Sequence, residues 1–359
     1  MSAESTIHLI TAYTNEATPV PFLTNFFQSP DKNFHTSEKV ELDIIRDEEE
    51  VAIVVEDLTT GTRENELAYY QTKAFTPPVY DESATISAFE LMGRNQGEFV
   101  YQDPNFNTNA TLKAFRVMRK LEAKIRRAVE LQAAQVLQTG KLTLVDNAGR
   151  ALYLLDFGPR VAHFPTVGTN WGGGSDDPIA DVGALGEAVR TNGRQIPKTL
   201  IFGKRAWRRF FDNTKVKALF NILRINVGQI QPVIRTGGGS FKGTLTIDNY
   251  DYEMYVYDGT YVDPQTRAVK NYVDPDNVIM ISENARLDLT FGAIPLIAKP
   301  EDRALAFLPD RISNGDRRLD LTVNAWITGN NKHLKIECGT RPLTIPTAID
   351  SFGCLKTSV

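Results

Sequence analysis

The chain has 359 residues, 42% of them hydrophobic and 23% charged, an ordinary globular composition that allows two or three cores and excludes a disordered polymer. Its 40 Lys and Arg against 44 Asp and Glu leave a formal charge of −4, which argues against bulk affinity for nucleic acid but leaves room for a local basic stripe.

Residues 1–38 carry Pro19, Pro21 and Pro30 among scattered aromatics, Phe22, Phe26, Phe27 and Phe34. The segment is too apolar for a solvated tail and too interrupted for a compact unit, so it reads as an arm docked on a surface. That surface belongs either to its own chain or to a neighbouring copy. Val40 to Ile44 alternates strictly and predicts a strand, and after the acidic run Asp47 to Glu50 a second one is expected at Val51 to Val55. Glu56 to Gln71, with Gly61 at its centre, is a polar excursion whose flanks, including Ala74 to Val79, return to β character. It reads as a long two-stranded loop projecting from its domain, with Asp57, Thr60, Gly61, Arg63, Glu64 and Glu66 as its contact residues.

Asn109 to Gln138 reads as a helix of about 30 residues, roughly 45 Å long at 1.5 Å per residue. Ala114, Met118, Leu121, Ile125, Ala128, Val129 and Val136 recur on one face, and Lys113, Arg116, Lys120, Lys124 and Arg127 line another. That basic stripe is either a solvated face or a surface turned to a polyanion. A hairpin turning at Asp146 to Gly149 is expected next.

Asp176 to Phe211 reads as helix, glycine turn, buried strand and second helix. Asp177 caps a helix starting at Pro178, Asn192-Gly193 closes it in a left-handed turn, and Thr199 to Phe202 is a strand. From Lys204 to Phe211 a helical pattern resumes with Trp207, Phe210 and Phe211 on one side. Arg205, Trp207, Arg208 and Arg209 suit nucleic acid or a protein interface; in a chain of net negative charge a protein interface is favoured. Strands follow at Ser240 to Ile247, Tyr252 to Tyr257, Val278 to Ser282, Leu319 to Ile327, His333 to Cys338 and Phe352 to Thr357. The order indicates an α+β fold with an inserted domain.

Catalytic signatures do not assemble. His8, His35, His163 and His333 are scattered, with no G-x-S-x-G or H-E-x-x-H, and the runs Gly172 to Gly174 and Gly237 to Gly239 lie in polar connections that read as flexible loops rather than phosphate loops. Asp176, Asp177 and Asp181 read as helix capping, and Asp274 and Asp276 as turn chemistry around Pro275. His333, Cys338 and Cys354 lack a zinc-knuckle spacing, and no cofactor is expected. The two cysteines fit a reducing compartment, the N-terminus shows no export signal, and no apolar run approaches the roughly 20 residues of a membrane span.

Several segments carry a pattern in a shared order and spacing: Phe22-Leu23 to Phe26-Phe27 with Thr36 to Val40, Gly168-Thr169-Asn170-Trp171, Asp176 to Ile179, Gly259 to Val262, Pro275 to Val278 and Trp326 to Asn330. In these the chain resembles the major capsid proteins of lambda-like tailed bacteriophages over most of its length. The resemblance implies the Hong-Kong-97-type capsid fold: an N-terminal arm (1–38), a peripheral domain (39–175 and 299–359) with an extended loop at about 56–71 and a spine helix at about 109–138, and an axial domain (176–298). It also implies pentamers and hexamers forming an icosahedral phage head around double-stranded DNA, with no enzymatic role, synthesis in the host bacterial cytoplasm and no membrane contact. A separate scaffolding protein, a portal and a decoration protein are the implied partners. Some relatives form a Lys–Asn bond between subunits; Lys73 and Asn314 are the nearest equivalents, and nothing in their spacing shows that they meet. An encapsulin-like compartment and an α+β enzyme remain the alternatives, separated by particle contents and by sedimentation.

Overall fold

The computed structural model describes residues 21–30, 40–44, 71–92, 106–145, 150–223, 238–292, 321–328 and 332–358. β1 (Val40–Ile44) pairs antiparallel with β2 (Gln71–Phe75). β3 (Tyr80–Ser87) runs into the short α1 (Ala88–Met92), and the long helix α2 (Phe106–Thr139, 34 residues) follows. β4 (Lys141–Val145) and β5 (Ala151–Asp156) pair antiparallel around the expected turn, which itself lies outside the described residues, as does the strand expected at Val51 to Val55.

Next come α3 (Pro178–Gly193), β6 (Pro197–Phe202), α4 (Lys204–Asp212) and α5 (Thr214–Leu223). β7 (Gly239–Ile247) and β8 (Tyr250–Tyr257) lead to the small antiparallel pair β9 (Thr260–Val262) and β10 (Val269–Asn271). The chain continues with β11 (Asn277–Ser282), β12 (Leu287–Phe291), β13 (Thr322–Thr328), β14 (His333–Thr340), β15 (Pro342–Pro346) and β16 (Phe352–Lys356).

A five-stranded sheet in the order β16-β11-β6-β8-β7 is antiparallel except between β6 and β8. Both of its faces are covered, and the period-two alternation of side chains supplies both. Leu200, Phe202, Met254, Val278, Met280 and Leu355 pack on one face with Val182, Leu185 and Val189 of α3 and Ala206 and Phe210 of α4. Ile201, Tyr255, Ile279, Phe352 and Cys354 fill the other face together with Val129, Ala133, Val136 and Leu137 of α2. A second sheet, β13-β14-β3, buries Ile86, Val323, Ala325, Ile336 and Cys338 against Ala114, Phe115, Met118, Leu121 and Ile125 of the same helix. One helix of about 51 Å therefore lies on two sheets, its first half on the three-stranded one and its second half on the five-stranded one.

Sheet membership crosses the limit expected at residue 298. β16 closes the edge of a sheet whose other strands fall between 176 and 298, because Phe352 and Cys354 share the face of Ile279. β12 in turn pairs with β15.

α3 starts as expected: Asp177 accepts a hydrogen bond from the Ala180 N–H (3.3 Å), with Pro178 behind it. Its end differs, since the left-handed residue is Arg194 (φ 54°) rather than Gly193. Gly193 is needed for close approach, because a Cβ there would stand 2.0 Å from the Asp350 carbonyl oxygen.

Leu137 is fully buried where α2 meets the five-stranded sheet. Leu137→Ala is expected to lower the unfolding free energy of the unassembled subunit by about 2–5 kcal/mol, read from denaturant titration.

Candidate assembly surfaces

The basic-aromatic run forms α4, whose opening N–H groups are satisfied from outside the helix: Arg205 and Ala206 donate to the Pro275 carbonyl at 3.0 and 2.8 Å. The same turn presents Asp276, which is nearly buried and pairs with Arg205 (2.7 Å) and Arg209 (3.1 Å). Two of the four expected interface residues are thus held by an acid from the turn around Pro275. Ala206 and Phe210 face the core, Trp207 is half-buried against Phe202 (ring centroids 5.3 Å), and Phe211 turns outward, 46% exposed, stacked on Trp207 at 5.8 Å. Phe211 therefore does not share the buried side with Phe210; the adjacent residue on a helix is rotated by about 100°. Arg208 is exposed and carries no ion pair among the described residues. On the outer side of α4, Arg208 stands exposed beside the Trp207–Phe211 stack.

Nearby, the glycine run that reads as a flexible loop is organised around a carboxylate. Asp176 is buried and accepts from the N–H groups of Gly172 and Gly174 at 3.0 Å each, and from Asn213 Nδ2. Those hydrogen bonds hold its carboxyl below the usual range despite its burial. Trp171 donates its indole N–H to Asp181 at 2.8 Å, and Lys215 pairs with Asp177, so all three acids serve the α3 entrance.

On α2 the basic stripe lies opposite the buried side. Arg116, Lys120, Lys124 and Arg127 are exposed and Lys113 is half-buried. Two of the five are engaged within the chain: Lys124 pairs with Glu82 at 2.6 Å, and Lys113 donates to the Glu90 backbone carbonyl. Arg116, Lys120 and Arg127 form no ion pair among the described residues.

For the arm, residues 21–30 pack on their own chain. Phe22, Leu23 and Phe27 are buried with β8, β12 and α2. The loop residues Asp57, Thr60, Gly61, Arg63, Glu64 and Glu66 lie outside the described residues, as does Asn314; Lys73 sits in β2 opposite Leu42. Cys338 and Cys354 are free thiols in different cores, and burial pushes Cys338 up to about 12 and Cys354 higher still. His163 is buried and donates through Nδ1 to the Phe352 carbonyl (2.9 Å). Among the described residues no group of three or more His, Cys, Asp or Glu is placed to hold a metal ion, and no helix is long and apolar enough to cross a membrane.

A long helix laid across a three-stranded sheet and a two-faced five-stranded sheet makes an α+β subunit, and solved structures share that architecture. A capsid protein of an Escherichia coli CFT073 prophage is similar over 98% of both chains, with a TM-score of 0.65 at 17% identity. A phage-related protein of Bordetella bronchiseptica RB50 follows at a TM-score of 0.50 and 10% identity, covering 98% of this chain and 97% of its own. The SrpI encapsulin of Synechococcus elongatus PCC 7942 reaches 0.47 at 8% identity, covering 97% and 95%, too distant to bear on function. No curated protein sequence matches the chain. The model of the family phage major capsid protein E matches residues 6–355, and the chain belongs to that family. It is a major capsid protein, a structural subunit of a virion shell built from many copies.

Asp276→Ala is expected to cost about 1–2 kcal/mol of subunit stability by freeing two guanidiniums and opening the α4 entrance, whereas Arg208→Ala should change it by less than about 0.5 kcal/mol. Denaturant unfolding of the two variants side by side checks the contrast.

Proposed function

We propose that the chain assembles as pentamers and hexamers into an icosahedral phage head that encloses double-stranded DNA, and that its synthesis takes place in the host cytoplasm. The family match across residues 6–355 carries this reading. Such a shell multiplies modest, partly apolar contacts over a lattice, so no single interface has to be strong. In the proposed division of labour, residues 1–38 are the arm, 39–175 and 299–359 the peripheral domain, and 176–298 the axial domain, whose sheet borrows β16 from the peripheral stretch as its edge strand. A separate scaffolding protein sets the assembly path, a portal admits DNA, and a decoration protein braces the outside.

Three surfaces are assigned in this scheme. The loop at 56–71, through Asp57, Thr60, Gly61, Arg63, Glu64 and Glu66, lies over an adjacent subunit. The outer side of α4 joins axial domains through Arg208 and the Trp207–Phe211 stack, with Arg205 and Arg209 held in place by Asp276. The α2 stripe faces the lumen, and Arg116, Lys120 and Arg127, which form no ion pair among the described residues, carry more of the phosphate contact than Lys113 and Lys124. Exposed cations without an internal partner are the ones free to release counterions from DNA.

Electron microscopy of the protein co-expressed with its morphogenetic helpers tests the whole reading: closed shells with nuclease-protected DNA are expected. Shells filled with protein cargo would favour a cellular compartment, and monodisperse small oligomers would overturn the assembly reading.

Deleting residues 57–66 is expected to leave a soluble subunit that forms no closed shells; normal particles in micrographs would remove the loop from the bridging role. Neutralising Arg116, Lys120 and Arg127 together should leave shell formation intact and reduce retained DNA, with the salt slope of DNA release falling by on the order of 0.9 per lost phosphate contact. Unchanged DNA content and slope would return the stripe to a merely solvated face.

A further inference from the structure

We propose that Glu130 is a latch that commits residues 22–30 to their own subunit before any shell forms.

Glu130 stands in the second half of α2 and is only 2% exposed. Among the described residues its carboxylate receives five hydrogen bonds. Oε1 accepts from the N–H groups of Phe22 (3.0 Å) and Leu23 (2.7 Å) and from the Tyr257 hydroxyl (3.0 Å). Oε2 accepts from the Thr24 N–H (2.9 Å) and the Thr24 hydroxyl (2.7 Å). Thr24–Phe26 is a single 3₁₀ turn, so the carboxylate lies at the end where backbone donors lack partners within the turn. A carboxylate is an acceptor only, and here each of its oxygens has at least two donors.

The asymmetry of these partners makes the contact a latch. Four of the five donors belong to residues 22–24, and only Tyr257 belongs to the body of the subunit. If the segment left, Glu130 would keep one donor, and a buried carboxylate stripped of hydrogen bonds is strongly disfavoured. Residues around it are shaped for the docked state. Phe22 packs on the rings of Tyr255 and Tyr257 with centroids at 5.8 and 5.1 Å. Gly239 leaves room for that ring, since a Cβ there would stand 2.3 Å from it. Farther along, Gln28 makes a parallel bridge to β12: its N–H donates to the Leu287 carbonyl (2.7 Å) and its carbonyl accepts from the Leu289 N–H (2.8 Å). Nothing in this set requires a second copy of the chain.

Substituting Glu130 by Gln keeps the shape but not the pattern. An amide carries one acceptor and one donor group, so in either orientation its NH₂ points at hydrogen-bond donors. Glu130→Gln should therefore release the segment almost as fully as Glu130→Ala, whereas Thr24→Val removes one of five donors and should loosen it only locally.

Hydrogen–deuterium exchange, read by mass spectrometry on peptides covering residues 21–30 of the full-length unassembled subunit, tests the latch. Slow exchange is expected in the wild type. In Glu130→Gln that peptide should exchange at least about tenfold faster while peptides covering β6 and β11 stay protected, and Thr24→Val should show a smaller rise. If Glu130→Gln does not accumulate as folded protein, the wild-type and Thr24→Val profiles decide alone. Either wild-type exchange at unfolded rates until shells form, or rates unmoved by both substitutions, would overturn the proposal. A failure of the capsid reading looks different, since wild-type protein would then form no particles while this exchange pattern persisted.

Discussion

The architecture depends on one helix satisfying two sheets, and the buried polar side chains of α2 determine how. Apolar periodicity alone would let a long helix slide or rotate on a sheet, since hydrophobic contact is non-directional. Hydrogen bonds from fixed positions remove that freedom. Gln132 donates to the Tyr80 hydroxyl (2.8 Å) and the Pro342 carbonyl (3.3 Å), tying β3 and β15 to the same point on the helix. Gln138 donates to the Tyr272 carbonyl (2.9 Å) and accepts from the Asp274 N–H (2.8 Å) and Asn277 Nδ2 (3.0 Å), which sets the turn before β11. Glu130 does the same for residues 22–24. Each pin would be costly if unmet, so register is specified more sharply than burial alone would specify it.

From that register the charged surfaces follow. With both faces of the five-stranded sheet covered, its ionisable neighbours are displaced to the rims, where they meet partners from distant parts of the chain. Asp276 is the clearest case. The turn pinned by Gln138 carries it to the first turns of α4, where it meets Arg205 and Arg209, while the Pro275 carbonyl takes the helix's first N–H groups. The basic face of α4 is thereby part of the fold, and only its outer residues remain for a partner. A similar division applies on α2, where Glu82 and the Glu90 carbonyl take Lys124 and Lys113 and leave Arg116, Lys120 and Arg127.

Elements with strong periodicity were legible in the sequence. The α2 pattern placed the helix to within three residues at its start and one at its end, and β1, β6, β7, β8, β11, β14 and β16 fall close to their expected positions. Short or interrupted elements were not: β3 mixes Asp81, Glu82 and Ser83 with its apolar positions, and β12 and β15 are five-residue strands whose pairing joins residues more than 50 apart. Gly193 illustrates a subtler miss. Glycine near a helix end ordinarily signals a left-handed cap, and here it answers the approach of a backbone from residue 350, which local sequence cannot reveal. Glu130 was invisible for the same reason, a charged residue one helical turn from Arg126 and Arg127 that reads as solvated until the arm is folded over it. Asp276 and Asp176 were legible as acids with structural roles, but the order of the glycine run was not, and Asp276 meets Arg209, and Asp176 meets Asn213, across 67 and 37 residues of chain.

The division between what a shell subunit keeps and what it offers follows from these contacts. Its two thiols are buried and driven toward their neutral form, Cys338 among Ile336, Val323 and Ala325, while the buried carboxylates of Glu130 and Asp176 are held by hydrogen-bond donors. What stays exposed is distributed rather than concentrated: the cross-strand valines Val262 and Val269 on β9–β10, Leu154 and Val145 on β4–β5, and Phe211 with Arg208 on α4. Repeating many small contacts around a closed lattice makes their sum cooperative, so a shell built from many copies can hold together through surfaces that are individually modest.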